Sequence, residues 1–363
     1  MNRTRLLRDL GQSLWLDNIT RELLDNGGLR RYIDEFGVTG LTSNPTIFDE
    51  AIGNGDAYDE GIRAKAMAGK SGEALFIELA LEDLRRAADL FRPVFDRTDG
   101  VDGWVSMEVS PLLAGDTQGS IEAAARIHKQ ADRPNLFVKI PGTPEGIRAI
   151  EESIFNGVQI NVTLLFSAQQ YTAAADAYLR GIERRIAAGR TPDVASVASL
   201  FVSRWDKAVG EKVPPELRNQ LGIAIAQRTY VAYRTLLDSG RWLKLSNAGA
   251  RPQRLLWAST GTKDPNVSDT LYVEAFAAPG TIDTVPEKTL KAFADHGEVH
   301  GAMTTDGGAA EAMLARFARD GVDVDALAMQ LQVDGAKAFV KSWQELLKRI
   351  ADKSRALTAE GVS

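Results

Sequence analysis

A lysine stands inside an apolar run: Leu136, Phe137, Val138, Lys139 and Ile140 in "NLFVKIP" (135–141). Lysine is among the residues least often fully buried. A gatekeeping charge on an edge strand is one reading, but the neighbours on both sides are apolar. Removing an amine from water disfavours the ammonium form. The neutral amine is a nucleophile that forms Schiff bases with carbonyl compounds. The resulting iminium is an electron sink for breaking or making a carbon–carbon bond. That chemistry needs a base for the departing hydroxyl proton and a second acid/base to dehydrate the carbinolamine. Asp17 in "SLWLDNI" and Glu108 in "GWVSMEVS" are candidates for these two roles. Neither a metal nor a cofactor is needed.

Further polar residues fall in or near the ends of apolar runs: Asn44, Asn161, Thr163, Ser199 and Ser259, with Arg204 just after a run. Side chains alternate along a strand, so Asn161 and Thr163 share a face, as do Ser106, Glu108 and Ser110. Each residue also has a structural reading. Asp17-Asn18 reads as a cap for the next helix. Asn44-Pro45-Thr46 reads as a turn, and Thr163 as an ordinary strand residue. The joint pattern favours a site.

The elements that must position these groups are short β-rich runs alternating with helical patterns. The runs are 13–19, 37–44, 103–110, 135–141, 158–167, 194–203, 254–260 and 269–277. Most are nearly continuous in apolar residues, as parallel strands covered on both faces are. Thr143 followed by Pro144 opens one helix. Ser167 and Gln170 open another at capping-box spacing, which ends before Gly189. This alternation means α/β, and eight strands in this order favour a closed (β/α)₈ TIM barrel, whose catalytic residues come from the C-terminal strand ends. A single barrel domain over 1–363 is expected, with helical insertions at about 45–102 and 204–253 and C-terminal helices at about 309–356.

The 363-residue chain has a net charge of −6 and a pI near 5.4, which argues against nucleic acid or an anionic membrane as the main partner. There is no cysteine, so disulfides, thiolate metal sites and cysteine nucleophiles are excluded. His296 and His300 in "HGEVH" have metal-ligand spacing but no evident third ligand. The N-terminal residues lack the apolar core of a signal peptide, and the expected location is cytoplasmic. Oligomeric state is open, a homodimer included.

The motifs resemble those of transaldolases. They are "LDNI" around Asp17, "GLTSNPTIF" around Asn44, "VSMEVSP" around Glu108 and "LFVKIPGTPEGIRAI" around Lys139, followed by "INVTLLFS", "ASLFVSRWD" and "LLWAST". "WASTGTKDP" and "YVEAFAAPGT" resemble the longer bacterial subgroup. The resemblance implies a (β/α)₈ enzyme of the non-oxidative pentose phosphate pathway. It would move a dihydroxyacetone unit from sedoheptulose 7-phosphate or fructose 6-phosphate to glyceraldehyde 3-phosphate or erythrose 4-phosphate. Lys139 would be the Schiff-base lysine, and Asp17 would exchange the C4 hydroxyl proton. Glu108 and Thr163 would hold the catalytic water. Asn44, Asn161 and Ser199 would bind hydroxyls, and Phe201 would wall the pocket. Arg204 and Ser259 would bind phosphate. The family's second phosphate arginine falls at Gly261, and Lys263 is the expected substitute. A lysine-dependent sugar-phosphate aldolase and a barrel that only binds sugar phosphates are the competing readings.

Overall fold

The computed structural model describes residues 3–359. Eight parallel strands close into a barrel in chain order. They are β1 (Ser13–Asp17), β2 (Gly40–Thr42), β3 (Val105–Glu108), β4 (Leu136–Pro141), β5 (Ile160–Leu165), β6 (Ser196–Phe201), β7 (Gln253–Ala258) and β8 (Ile282–Val285). The barrel closes through β8 against β1, from Ser13 beside Ile282 to Leu16 beside Val285.

The first six runs each contain the strand expected of them, and the seventh strand begins one residue ahead of its run. The eighth expectation fails: 269–277 is not a strand, and its centre forms the helix Leu271–Ala275. Tyr272, Val273 and Phe276 suit a strand by residue type, but packing decides otherwise. Tyr272 donates to Asp206 Oδ2 at 2.7 Å, its ring stacks on Phe276 with centroids 5.7 Å apart, and Phe276 lies against Trp257 at 5.3 Å. The true β8 is four residues with a carboxylate inside it, bounded by Gly280 and Pro286, and its brevity hid it.

The floor of the barrel is aromatic. Trp104 stacks on Phe137 at 4.1 Å, and Trp15 lies 6.3 Å from Phe137. Gly40 is required there, because a Cβ would stand 2.7 Å from both the Trp15 indole and the Trp104 carbonyl. Above this floor the interior turns polar, towards the C-terminal strand ends.

The helices start where the sequence provides caps. Thr143 accepts from the Gly146 N–H and Ser167 from the Gln170 N–H, each with its side-chain oxygen. The first insertion folds as Pro45–Gly53, Asp59–Met67 and the 26-residue Gly72–Arg97. The second holds Ser203–Val209, Leu221–Leu237 and Gly240–Asn247, with short 3₁₀ turns around the Pro214-Pro215 break. The C-terminal part forms Ala310–Arg319 and the 36-residue Val324–Ala359.

That last helix is seated on the first insertion. Phe48, Phe76 and Trp343 form an edge-to-face series with centroids 5.2 Å apart at each step. Such pairs contribute about 0.5–1.5 kcal/mol each beyond their buried area. Arg349 binds Asp49 at 2.6 Å, and Lys353 donates to the Gly55 carbonyl at 2.6 Å.

Asp283 of β8 is fully buried, and neither of its carboxyl oxygens has a hydrogen-bond partner among the described residues. Burial pushes its pKa up to about 8, against a weaker opposing pull from the Thr260 hydroxyl. A carboxyl whose folded pKa lies above its unfolded value binds more protons in the folded state. Its contribution is therefore full below about pH 4 and is lost as pH rises through about 8. Asp283 by itself should make the melting temperature fall as pH rises across this range. Asp283→Asn should flatten that dependence, and an unchanged slope would contradict the assignment.

Candidate active site

The strand register brings the polar groups together. Glu108 pairs with Lys139 across β3 and β4, and Lys139 with Asn161 across β4 and β5. Lys139 is 5% exposed and Glu108 8%. Lys139 Nζ donates to the Ser43 carbonyl at 2.9 Å and lies 3.7 Å from Glu108 Oε2. Burial raises the Glu108 pKa, the Lys139 charge opposes that shift, and Asp17 adds to it.

Above Lys139 a cavity of about 380 Å³ opens at the C-terminal strand ends, within the usual range for small-molecule sites. Of the residues singled out from sequence, Asp17, Asn44, Lys139, Thr163, Ser199, Phe201, Arg204, Ser259 and Lys263 line it. Glu108 and Asn161 are not part of its wall; they flank Lys139 on the neighbouring strands. Asn161 is fully buried, donates to Ser106 Oγ at 3.2 Å and accepts from Ser199 Oγ at 2.7 Å. Thr163 is fully buried, and its Oγ1, like Glu108 Oε2, has no hydrogen-bond partner among the described residues. Both oxygens are available to a water or a substrate hydroxyl.

Asp17 is the last residue of β1 and keeps some open surface because it lines the cavity. Burial raises its pKa; the Thr42 hydrogen bond and then the charges of Lys139 and Lys263 oppose the rise. Thr42 donates to Asp17 Oδ1 at 2.8 Å and shares a 2.7 Å contact with the Thr284 hydroxyl. Since Thr42 spends its one proton on Asp17, Thr284 is the donor in that second contact. Asp17 is not a helix cap: Thr20 caps the following helix by accepting from the Leu23 N–H. Asn44 does cap Pro45–Gly53, accepting from the Ile47 N–H at 3.1 Å, and still faces the cavity.

The outer wall carries two cations. Arg204 makes no hydrogen bond and no ion pair within 4.0 Å among the described residues. Its guanidinium instead lies 5.1 Å from the Phe201 ring and 5.7 Å from Phe339. Burial lowers its pKa, and Glu108 opposes that shift. Its helix is fixed by Asp206, which accepts from the N–H groups of Leu221 and Gly222 and from the Tyr272 hydroxyl. Lys263 is exposed, but its Nζ returns to within 3.8 Å of where a Gly261 Cβ would stand. Ser259 holds a left-handed backbone with φ of 58° and shares a 2.9 Å hydrogen bond with Ser203. Strain of this kind collects at functional sites.

Thr42, Thr284, Glu50 and Phe339 also line the cavity and went unrecognised in the sequence. Alternation from Asn44 back to Thr42 could have marked Thr42. Thr284 was lost with β8, and no local spacing connects Phe339 to the barrel. His296 pairs with Asp269 at 2.8 Å, and no three potential metal ligands cluster among the described residues.

The site is a buried lysine with two flanking carboxylates at the mouth of a (β/α)₈ barrel, the class of site that suits carbonyl chemistry on a small polar molecule. The family model described as "Transaldolase/Fructose-6-phosphate aldolase" matches residues 14–350. A transaldolase of Thermobifida fusca is 46% identical over 361 residues, covering 97% of this chain and 98% of that one. One from Thiobacillus denitrificans is 45% identical over 358 residues, covering 96% and 100%. One from Parafrankia sp. is 44% identical, covering 94% and 95%. The chain belongs to the transaldolase/fructose-6-phosphate aldolase family, and its relatives identify it as an enzyme of the transferase class. No helix among the described residues is long and apolar enough to cross a membrane.

The Thr42 hydrogen bond favours the charged form of Asp17, against the larger effect of burial. Thr42→Val should therefore raise the Asp17 pKa and move the acidic limb of kcat/KM to higher pH. A pH profile that superimposes on that of the parent enzyme would show that Asp17 does not govern this limb.

Proposed function

We propose that the chain is a transaldolase of the non-oxidative pentose phosphate pathway, acting in the cytoplasm through a Schiff base on Lys139. Donors would be sedoheptulose 7-phosphate or fructose 6-phosphate, and acceptors glyceraldehyde 3-phosphate or erythrose 4-phosphate. The observation that carries this reading is the buried Lys139 amine, 3.7 Å from Glu108 Oε2 at the base of a cavity that Asp17 also lines.

Lys139 Nζ attacks the ketone C2 to give a carbinolamine. Loss of water, served by a water molecule held between Glu108 and the free Thr163 hydroxyl, gives the iminium. Asp17 takes the C4 hydroxyl proton and the C3–C4 bond breaks. Its electron pair passes to the iminium, leaving an enamine and releasing the aldose phosphate. The enamine then attacks the acceptor aldehyde, Asp17 returns its proton to the new hydroxyl, and hydrolysis frees Lys139. Asn44 and Ser199 bind hydroxyls of the retained unit. Asn161 supports Ser199 and has a second amide hydrogen to offer. Phe201 walls the pocket and limits water access, which favours transfer over release.

Arg204 and Ser259 hold the phosphate, and Lys263 supplies the second cation. The return of its amine towards Gly261 supports that role. Lys263→Met should raise KM for phosphorylated substrates by about tenfold with little change in kcat, as loss of one charged hydrogen bond implies. An unchanged KM would remove Lys263 from the phosphate site.

The family description also includes an aldolase, so the products decide between the two. Fructose 6-phosphate with erythrose 4-phosphate should yield sedoheptulose 7-phosphate and glyceraldehyde 3-phosphate, with little free dihydroxyacetone. Release of dihydroxyacetone as fast as transfer would make the enzyme an aldolase. Lys139→Ala should abolish transfer and keep the fold, because Glu108 can take a proton rather than remain a buried unpaired charge. Near-normal turnover by a folded Lys139→Ala protein would refute the mechanism.

A further inference from the structure

The C-terminal helix Val324–Ala359 crosses the cavity mouth, and one face of it meets the site. Gln332, Gly335 and Phe339 lie three and four residues apart, on one side of the helix. Gln332 Nε2 donates to the Gly142 carbonyl at 2.9 Å and to the Leu164 carbonyl at 3.0 Å. Gly142 directly follows β4, which carries Lys139, and Leu164 lies in β5 next to Thr163. Leu164 sits at an irregularity in β5 with φ of 58°, a conformation that a bulky residue adopts only when its surroundings hold it there. Phe339 lines the cavity and presents its ring to Arg204.

Gly335 is the junction. A Cβ there would stand 3.1 Å from Arg204 Nη1 and 2.9 Å from Leu164 Cδ2. Glycine is among the worst residues for the interior of a long helix, and the close approach of Arg204 supplies a reason for it. The guanidinium is thus bounded by Phe201 from β6, Phe339 from the helix and the helix surface at Gly335, with no carboxylate consuming its N–H groups. A guanidinium held in place by ring and helix contacts, with its N–H groups unpaired among the described residues, is available for bidentate phosphate binding.

We propose that Gly335 and Phe339 are positioning residues for phosphate recognition, setting the place and plane of the Arg204 guanidinium from the C-terminal helix. The proposal rests on Arg204 being the phosphate ligand. The two atoms nearest the missing Cβ are the far ends of flexible side chains, so Gly335→Ala displaces the guanidinium and a Leu164 methyl without moving backbone. Helix propensity favours alanine over glycine, so the variant should melt no lower than the parent.

The test is steady-state transfer from saturating fructose 6-phosphate to two acceptors, glyceraldehyde 3-phosphate and unphosphorylated glyceraldehyde, by the parent, Gly335→Ala, Phe339→Leu and Arg204→Gln proteins. Gly335→Ala and Phe339→Leu should raise KM for the phosphorylated acceptor about fivefold with kcat within about twofold, the scale of a sub-ångström misplacement. Values of kcat/KM for glyceraldehyde should hold within about twofold. Equal losses on both acceptors, or none on either, in both variants would overturn the proposal. If Arg204→Gln itself leaves KM for the phosphorylated acceptor unchanged, the phosphate assignment fails and the inference fails with it. A raised KM in Arg204→Gln with parental values in the other two variants overturns the helix inference alone.

Discussion

The in-register pairing of Glu108 with Lys139 on adjacent strands is the constraint on which the rest depends. Burying two ionisable groups side by side costs desolvation that their mutual attraction only partly offsets. Such a pair persists only where the surroundings fix it. Here the Ser43 carbonyl binds the amine, the apolar residues Val138 and Ile140 pack on the other face of β4, and the aromatic floor of Trp15, Trp104 and Phe137 closes the barrel beneath. The same arrangement puts the Lys139 amine 3.7 Å from Glu108 Oε2, the separation the proposed mechanism uses.

The peripheral helices share a purpose with the barrel. The first insertion provides Phe48 and Phe76 as a seat for Trp343, which fixes the long C-terminal helix across the mouth. The second holds Arg204 on a short helix locked by Asp206. The end of the cavity where Arg204 lies is therefore built from strand ends, an insertion and the C-terminal helix together. The end that holds Asp17, Glu108, Lys139 and Thr163 is built from strands alone. Under the proposed function, this division separates reaction chemistry, which needs rigid geometry, from recognition, which is assembled from outside the barrel.

Much of this was legible in the sequence because parallel strands buried on both faces leave unbroken apolar runs, in which a lysine or an asparagine stands out. Seven strands and the residues at their ends were readable in that way. β8 was not, because a four-residue strand carrying Asp283 looks like a loop while "TLYVEAF" looks like a strand. Thr284 was lost with it. Asn161 was readable as an interior polar residue, but not as one whose oxygen is already engaged by Ser199. Phe339 and Gly335 were beyond reach, since only tertiary docking brings a helix more than a hundred residues downstream of Arg204 onto its guanidinium.

The account stands or falls on a covalent bond to one amine. The most direct measurement is borohydride reduction of the purified protein with fructose 6-phosphate, followed by peptide mass analysis. One substrate-dependent adduct is expected, carried by the peptide that contains Lys139. Absence of an adduct under turnover conditions, or an adduct confined to another lysine, would contradict it.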